Sequence, residues 1–339
     1  MLGEIEMATT PNRPKIFITR QIPENGVKLL KEHFSVRINK EDRDLTQPEL
    51  LKKLNGAFGV ISMLSNKFDS ELLSKLKSLK IISNFAVGFN NVDVKAATER
   101  GIAVTNTPDV LTDATADLAF GLLLAVARRI AEGDRLVRAG KFKGWSPMLM
   151  LGYDLVGKTI GIVGAGRIGA AVASRGKGFG MKIIYFSRRR NDEMEKLGGE
   201  FASLEQLLKQ SNFISLNVPL NDATRNLIGK KEIAMMKPNA ILINTARGEV
   251  VDENVLIAAL KKKKITGAGL DVYVNEPKIN PDFFKLDNVV LAPHLGSATF
   301  KTRAKMAELV ARNAIAVLKG KRPPAVVNPE VLGRLSGKK

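Results

Sequence analysis

The sequence predicts an α/β protein with two doubly wound parallel β-sheets. Short apolar segments alternate with helical patterns through the first hundred residues, and the turns between them carry no hairpin signal. A second alternating series begins at Thr159, and a helical stretch at 113–131 that is apolar on nearly every side separates the two series. A chain of 339 residues is long enough for two domains, each with its own core.

The first series predicts a flavodoxin-like domain. Thr46 and Glu49 form a capping box at the start of its second helix, and Gly101 ends its fourth. We expect an amphipathic helix at 301–319 and a tail at 323–332 that returns to this domain. The predicted strands are 15–19, 35–39, 59–62, 80–85 and 102–105, and the predicted helices are 24–32, 47–54, 70–76 and 92–100.

The second series predicts a six-stranded sheet. Ser203 with Gln206 caps one of its helices, and Asp252 begins another. The helix at 113–131 must be covered on every side, so we expect it to cross between the domains and to contribute to a dimer interface. The predicted strands are 159–163, 182–186, 213–216, 240–244, 266–270 and 289–292.

Three glycines follow the first strand of the second series. Gly164, Gly166 and Gly169 have the G-x-G-x-x-G spacing and precede a helix of small residues and a further strand, the context that a dinucleotide fingerprint requires. The first glycine allows a tight turn, the second lets a pyrophosphate approach the backbone, and the third lets helix and strand pack closely. Together with the six strands, this predicts a Rossmann domain whose helix N-terminus holds the diphosphate.

The residues after the next strand indicate which dinucleotide is bound. NAD-binding proteins usually carry an acidic residue there for the ribose 2′-hydroxyl. Here Ser187 is followed by Arg188, Arg189 and Arg190, and a hydroxyl with guanidinium groups suits a 2′-phosphate. The cofactor prediction is therefore NADP(H), with NAD(H) possible. The alternative is a solvated arginine loop, and Arg190 is the member best explained as merely exposed.

Composition excludes several classes of protein. The chain has no cysteine and only two histidines, which excludes disulfides, thiolate catalysis and a His-rich metal site, so no metal is expected. The net charge of +19 is spread along the chain without a nucleic-acid-binding motif, so we expect it to attract anionic substrate and cofactor rather than nucleic acid. No apolar run is long enough to span a membrane.

The first fourteen residues lack the basic start and apolar centre of a secretory signal. They predict a short loose tail, and translation could also begin at Met7. With the absence of cysteine, this predicts a cytoplasmic protein.

Three ionisable side chains lie just beyond strands of the second sheet. Arg247, Glu276 and His294 each follow the C-terminal end of such a strand, which is the edge where open α/β sheets bind ligands. Because the sheet is parallel, we expect the three to converge on one crevice. A hydrogen-bonded structural histidine is the alternative for His294, whereas His33 follows a short helix and predicts only a surface role.

Six segments together give the sequence a family resemblance. They are NFAVGFNNVD, NTPDVLTDATADLAFGLLLA, GKTIGIVGAGRIG, INTARGEVVDE, GAGLDVYVNEP and APHLGSAT. The chain resembles the D-isomer-specific 2-hydroxyacid dehydrogenases over residues 15–328, and within them it is most similar to the glyoxylate/hydroxypyruvate reductases. Glu276 separates it from the family's formate dehydrogenases, which carry glutamine at that position.

The resemblance implies a role for each converging residue. His294 would give a proton to the 2-oxo group during hydride transfer, and Glu276 would orient its ring. Arg247 would hold the substrate carboxylate and polarise the carbonyl. Backbone N–H groups at Val87 and Gly88 would bind the other carboxylate oxygen.

The resemblance also implies substrate contacts at Leu64 and Trp145, although Leu64 would fit a simple core position and a sole tryptophan would fit a packing or interface role. The implied domains are a substrate domain, 1–107 with 297–339, and an NADP(H)-binding domain, 108–296, in which 109–150 form a crossing helix and a dimer arm. The implied cofactor-binding residues are Thr115, Gly164, Ala165, Gly166, Arg167, Ile168, Gly169, Ser187, Arg188, Arg189, Val218, Pro219, Thr245, Ala246, Asp271, His294 and Gly296.

The leading hypothesis is therefore a homodimeric, NADPH-dependent reductase of glyoxylate, hydroxypyruvate or both. A dehydrogenase of D-lactate or 3-phosphoglycerate type is the alternative within the family. A corepressor that binds dinucleotide without catalysis is the alternative from another class, and measured turnover distinguishes it.

Overall fold

A computed structural model of the chain describes residues 13–335, so the predicted N-terminal tail and Met7 lie outside the described residues. The chain divides into two compact domains. The first runs to Val110 and resumes at Phe300, and the second runs from Leu111 to Thr299. Both boundaries lie three residues beyond the positions expected from the sequence, 107 and 296.

The first domain has a five-stranded parallel sheet in the order β2-β1-β3-β4-β5. This is the flavodoxin-like order, and it confirms the predicted fold. The strands are β1 Lys15–Ile18, β2 Ser35–Ile38, β3 Gly59–Ser62, β4 Ile81–Asn84 and β5 Ala103–Thr105. The helices between them are α1 Glu24–Lys31, α2 Gln47–Leu54, α3 Ser70–Lys75 and α4 Val94–Glu99.

The end of the chain completes this first domain. Helix α12, Phe300–Leu318, packs against α1 and β4 and buries apolar residues there. The following tail returns as predicted, since Val326 pairs with Thr105 beside β5 and the Asn328 side chain accepts a hydrogen bond of 2.7 Å from the N–H of Val104. The short helix α13, Leu332–Leu335, follows.

The second domain has a seven-stranded parallel sheet in the order β12-β11-β10-β9-β6-β7-β8. The six strands from β8 to β11 follow the Rossmann order, which confirms the second predicted fold. Strand β12 adds a seventh at the edge, one more than the six strands expected. The strands are β6 Thr159–Val163, β7 Lys182–Phe186, β8 Glu200–Phe201, β9 Phe213–Leu216, β10 Ile241–Asn244, β11 Gly267–Leu270 and β12 Val289–Leu291. The helices are α5 Thr112–Ala127, α6 Ile130–Arg138, α7 Arg167–Gly178, α8 Asp192–Lys196, α9 Leu204–Gln210, α10 Lys230–Met235 and α11 Glu253–Lys261.

The helix predicted at 113–131 differs from expectation. It is two helices, because Arg129 adopts a left-handed conformation with φ of 53° that separates α5 from α6. The apolar character of α5 is explained inside the second domain, where it packs between α7 and strands β10 and β11 and buries Phe120 and Leu123. Burial on both sides of α5 therefore accounts for the all-round apolar pattern.

The predicted helix signals are confirmed. Glu49 accepts the N–H of Thr46 at 2.8 Å in the first capping box, and Ser203 with Gln206 forms the second. The Asp252 side chain accepts the N–H of the third residue along at 3.1 Å. Gly101 has φ of 69° just after α4.

Candidate active site

The turn between β6 and α7 has the geometry of a phosphate cradle. Gly164 has φ of 99°, and a Cβ on it would lie 2.7 Å from the backbone of Asn217. A Cβ on Gly169 would lie 2.1 Å from the carbonyl oxygen of Gly164, so helix and strand are in close contact there. A Cβ on Gly166, the residue before the first turn of α7, would meet nothing within 4 Å. The open space thus lies where the α7 dipole and free N–H groups favour an anion.

The arginine-bearing segment follows β7 directly. Arg188 and Arg189 are exposed, and within residues 13–335 neither guanidinium has a hydrogen-bond or ion-pair partner. Ser187 donates its hydroxyl proton to the carbonyl of Arg189. Arg190 is exposed as expected, but its guanidinium is 2.8 Å from a carboxylate oxygen of Glu195. Two cations are therefore available for a phosphate, and the third is paired.

His294 and Glu276 form a direct pair. The Nδ1 atom of His294 lies 2.8 Å from Oε2 of Glu276, and about a third of each side chain is exposed. Glu276 follows β11 and His294 follows β12, so two adjacent parallel strands present them at one edge. Because Nδ1 faces the carboxylate, Nε2 is the ring nitrogen left for a substrate.

The surroundings of Glu276 favour its charged form. Burial opposes ionisation, but the hydrogen bond and charge of His294, the N–H of Tyr273 at 2.9 Å and the charge of Arg247 together hold the pKa of Glu276 below its ordinary value. The carboxylate therefore stays ionised beside the imidazole at neutral pH.

Arg247 follows β10 and is half-buried. Burial lowers its pKa, and the nearby carboxylates of Glu276 and Glu249 oppose that effect, so the group remains a cation at neutral pH. A Cβ on the next residue, Gly248, would lie 2.0 Å from the backbone of Tyr273. The loop after β10 is thus pressed against the loop that carries Glu276.

Asp271 holds the turn that contains His294. Its side chain is 1% exposed and accepts the N–H groups of Leu295 and Gly296 at 2.5 and 2.8 Å. His294 has φ of 56°, a conformation that needs such support. Burial raises the pKa of Asp271, although these hydrogen bonds and His294 favour its ionised form. The Thr115 hydroxyl donates to the carbonyl of Gly296 at 3.0 Å, which ties α5 to the same turn.

The other expected cofactor residues lie at the ends of neighbouring strands. Val218 and Pro219 follow β9, and Thr245 and Ala246 follow β10. The central part of the sheet therefore presents these residues at its carboxyl edge, next to the glycine turn that follows β6. Ala165, Arg167 and Ile168 belong to the glycine turn and the start of α7.

The expected substrate residues outside this edge have varied surroundings. Val87 and Gly88 are half-buried in the loop after β4, where their carbonyl oxygens accept hydrogen bonds from Asn106 and Asn84 at 2.8 and 2.7 Å. Leu64 is half-buried just after β3, in the first domain. Trp145 belongs to the second domain, and its side chain is 84% exposed.

Comparison with known proteins identifies the family. Residues 120–296 match the family described as D-isomer specific 2-hydroxyacid dehydrogenase, NAD binding domain. A glyoxylate reductase of Thermococcus litoralis is 57% identical over 325 residues, which cover 94% of this chain and 98% of that protein. The chain belongs to the D-isomer-specific 2-hydroxyacid dehydrogenase family.

Two further relatives of this D-2-hydroxyacid dehydrogenase are similar over nearly the whole length. A glyoxylate reductase of Pyrococcus furiosus is 53% identical over 325 residues, covering 94% of this chain and 97% of the relative. The solved structure of an NADPH-dependent glyoxylate/hydroxypyruvate reductase from Sinorhizobium meliloti, in complex with NADP and malonate, has a TM-score of 0.85 and 34% identity. The superposed residues cover 94% of this chain and 98% of the reductase chain. The chain is an oxidoreductase with a Rossmann domain for a nicotinamide dinucleotide.

Two residues that support the site of this D-2-hydroxyacid dehydrogenase were not predicted from the sequence. Tyr273 is buried, and its hydroxyl is 3.2 Å from the carbonyl oxygen of Leu270 and 2.8 Å from that of Ala292, so it joins the ends of β11 and β12. Asn191 bonds to the glycine turn through Ala165. The structure shows that Asn191 also caps α8, and no local pattern in the sequence indicates its contact with Ala165.

No helix within residues 13–335 is long and apolar enough to cross a membrane.

Proposed function

We propose that this enzyme reduces small 2-oxo acids, glyoxylate and hydroxypyruvate, to glycolate and D-glycerate with NADPH. The observation that carries the proposal is the 2.8 Å contact between Nδ1 of His294 and Glu276 at the carboxyl edge of the second sheet. The names of the curated relatives, glyoxylate reductases at 53% and 57% identity, support this substrate class.

The chemical roles follow from the charges of three side chains. Glu276, ionised and bonded to Nδ1, orients the ring so that Nε2 of His294 can give a proton to the substrate oxygen. Arg247 keeps its positive charge when half-buried and binds a carboxylate in a planar, two-pronged contact. It also polarises the carbonyl bond as negative charge develops on oxygen.

The glycine turn fits a dinucleotide. Gly166 borders open space at the start of α7, and close packing at Gly164 and Gly169 holds the turn. Thr115 and Asp271 fix the neighbouring turn at Gly296. When bound there, the nicotinamide cofactor supplies the hydride for reduction.

The preference for NADPH rests on the segment after β7. Arg188 and Arg189 offer two exposed guanidinium groups, and an acidic residue for a ribose 2′-hydroxyl is absent from Ser187 to Arg190. A 2′-phosphate would gain charge-assisted hydrogen bonds from both cations.

Substrate contacts in the first domain complete the proposal. We assign the backbone N–H groups at Val87 and Gly88 to the second oxygen of the substrate carboxylate. Leu64 is proposed to border the substrate. The exposure of Trp145 favours an interface role for its side chain.

The deciding experiment is a set of initial rates with glyoxylate and hydroxypyruvate, each with NADPH and with NADH. Turnover that favours NADPH is the expected result. Turnover with NADH alone would keep the catalytic assignment and reject the phosphate site. Turnover only with D-lactate or 3-phosphoglycerate would identify a different substrate class within the same family. An absence of turnover with all of these compounds would favour a corepressor that binds dinucleotide without catalysis.

A pair of variants tests the phosphate site separately. Arg188→Ala and Arg189→Ala should each weaken NADPH binding by roughly tenfold to a hundredfold, because a charge-assisted hydrogen bond contributes about 1.5–3 kcal/mol. NADH binding should change little, as measured by fluorescence titration. Equal weakening of both cofactors would contradict the assignment.

We also propose that the enzyme is a homodimer. Large apolar side chains are exposed along one segment of the second domain, which we call the apolar arm, residues 130–156. They are Ile130, Val137, Phe142, Trp145, Met148, Leu149, Leu151, Tyr153 and Val156. Patches of this kind mark protein interfaces, and a second copy of the chain would cover them symmetrically. The cytoplasmic location expected from the sequence stays a prediction.

A further inference from the structure

The five residues between β7 and α8, 187–191, form a short connection that we call the arginine turn. Its start is fixed by β7, which pairs along its length with β6. Its end is fixed by Asn191, whose side-chain NH₂ donates to the carbonyl of Ala165 at 2.7 Å. Ala165 lies inside the glycine turn, so this hydrogen bond joins the two segments on which the proposed cofactor site depends.

Asn191 makes further hydrogen bonds with its other groups. Its side-chain oxygen accepts the N–H groups of Glu193 and Met194 at 2.9 and 3.2 Å and so caps α8. Its own N–H donates to the hydroxyl of Tyr185 at 3.0 Å. The polar groups of this side chain are therefore engaged, and its position is narrowly defined.

A cluster of four side chains supports the same end of the turn. The Tyr185 ring is fully buried, and its hydroxyl lies 3.2 Å from a carboxylate oxygen of Glu195. The same oxygen receives the guanidinium of Arg190 at 2.8 Å, and that guanidinium stands 5.2 Å from the ring centre of Phe201. Arg190 thus contacts α8 and β8, and its charge is already partnered.

The glycine turn does not depend on this contact for its own shape. Gly164 donates to the carbonyl of Phe186 at 2.8 Å, and Asn217 donates to that of Val163 at 2.7 Å. The close approach of Gly169 to Gly164 fixes the helix on the strand. The hydrogen bond from Asn191 therefore positions the arginine turn on a cradle that is already formed.

We propose that Asn191 is a positioning residue for recognition of an adenosine 2′-phosphate. It holds the arginine turn at a set distance from the glycine turn, so that Arg188 and Arg189 are placed before the ligand arrives, while Arg190 belongs to the anchor and does not bind the phosphate. Binding then avoids the entropy cost of ordering the backbone that carries the two arginines. This inference rests on the proposed NADPH preference.

The test uses the full-length enzyme and two probes without a nicotinamide ring, adenosine 2′,5′-bisphosphate and 5′-AMP, measured by calorimetry. Asn191→Ser keeps a cap for α8 but is too short to reach Ala165. We expect it to weaken the bisphosphate roughly 5- to 20-fold, the scale of the entropy cost of ordering the backbone of about one residue, and 5′-AMP by less than about twofold. Tyr185→Phe, which keeps the buried ring, should act in the same direction and more weakly.

The control is Asn288→Ser, which shortens an asparagine elsewhere in the second domain whose side-chain NH₂ donates to the carbonyls of Leu260 and Thr266 at 3.3 and 3.1 Å. It should leave both affinities unchanged. Equal weakening of both probes by Asn191→Ser, or no weakening of either, would overturn the positioning role. If Asn191→Ser fails to fold, Tyr185→Phe decides by the same criterion. A wild-type enzyme that binds both probes equally would overturn the NADPH preference itself, which separates that failure from this one.

Discussion

The His294–Glu276 pair shows how a backbone conformation can be held in place by a neighbouring side chain. His294 has φ of 56°, which is uncommon for a residue other than glycine. The buried Asp271 side chain holds the N–H groups of Leu295 and Gly296, the two residues that follow. The imidazole therefore meets Glu276 from a turn that is stabilised independently of the substrate.

Replacing His294 with glutamine should remove the proposed proton donor. We expect kcat to fall roughly 10²- to 10⁴-fold, the usual contribution of a general acid, while the dissociation constant for NADPH changes little. Steady-state rates and fluorescence titration measure the two quantities. His33→Gln, a change at the other histidine of the chain, is the control and should retain full activity. A His294 variant with near wild-type turnover would contradict the assignment.

Replacing Glu276 with glutamine should change the pH dependence. The folded pKa of Glu276 is lowered, so its contribution to stability is complete above about pH 4.3 and is lost as pH falls through the lower folded value. Protonation of Glu276 removes the charge that pairs with His294, so wild-type kcat should fall as pH drops through the lowered pKa of Glu276. In Glu276→Gln no carboxyl titrates at this position, and the pH–rate profile should show a lower kcat without that acid limb. Glu249→Gln is the control, because Glu249 faces Arg247 without bonding to His294. An acid limb that is unchanged in Glu276→Gln would show that protonation of Glu276 does not limit the reaction.

At the scale of secondary-structure elements, two glycines of the turn between β6 and α7 have different roles: one allows close packing and the other leaves space for a cofactor. Gly169 allows contact between α7 and β6, whereas Gly166 borders open space. Gly169→Ala should lower the thermal midpoint by several degrees, since overpacking costs about 1–3 kcal/mol. Gly166→Ala should leave the midpoint nearly unchanged and weaken both NADPH and NADH. Calorimetry and cofactor titration check this matched pair, and equal losses of stability in the two variants would refute the division of roles.

The apolar periodicity of the sequence predicted the strands and helices that bury one face or both. It did not predict strand β8 or the break between α5 and α6, which depend on contacts with other parts of the fold. The strands of both sheets lie within one or two residues of expectation because their apolar runs are bounded by turns. Strand β8, Glu200–Phe201, was missed because two residues give no alternation. The break at Arg129 carries no glycine or proline to mark it.

The residues of the candidate site were predictable where they follow a strand, and its long-range hydrogen bonds were not. Arg247, Glu276 and His294 could be found because each follows a strand of one parallel sheet. The hydrogen bond from Asn191 to Ala165 spans 26 residues, and the Tyr273 bridge depends on how two strand ends meet. Such contacts arise from tertiary packing, so a single sequence carries no local signal for them.

The molecule as a whole carries a net charge of +19. A positive field raises the rate at which anionic substrate and cofactor arrive. We expect kcat/KM for glyoxylate to fall as sodium chloride rises from about 0.01 to 0.5 M, where the screening length shortens below about 5 Å, while kcat stays nearly constant. A kcat/KM that does not depend on salt would show that the charge has no part in substrate capture.

The apolar arm allows dimer formation to be tested without an enzyme assay. Trp145 is the sole tryptophan and is 84% exposed in a single chain, so its fluorescence should shift to shorter wavelength when a second copy covers it. Val137→Glu with Leu151→Glu should convert dimer to monomer in light scattering and reverse the shift. Phe284→Glu, at an exposed apolar side chain outside the arm, is the control. A wild-type chain that is monomeric at all concentrations would refute the proposed dimer.

The first domain is assembled from two separated parts of the chain, and this sets an order of events during synthesis. The Ser83 hydroxyl donates to the carbonyl of Val310 at 3.1 Å, and the Asn328 side chain accepts from Val104 at 2.7 Å. On the ribosome these partners emerge more than two hundred residues apart, and domains generally fold as they leave it. The second domain, continuous from Leu111 to Thr299, can finish folding while the nascent first domain still lacks α12. Helix α12, which is translated after the whole second domain, therefore decides when the first sheet acquires this part of its apolar cover.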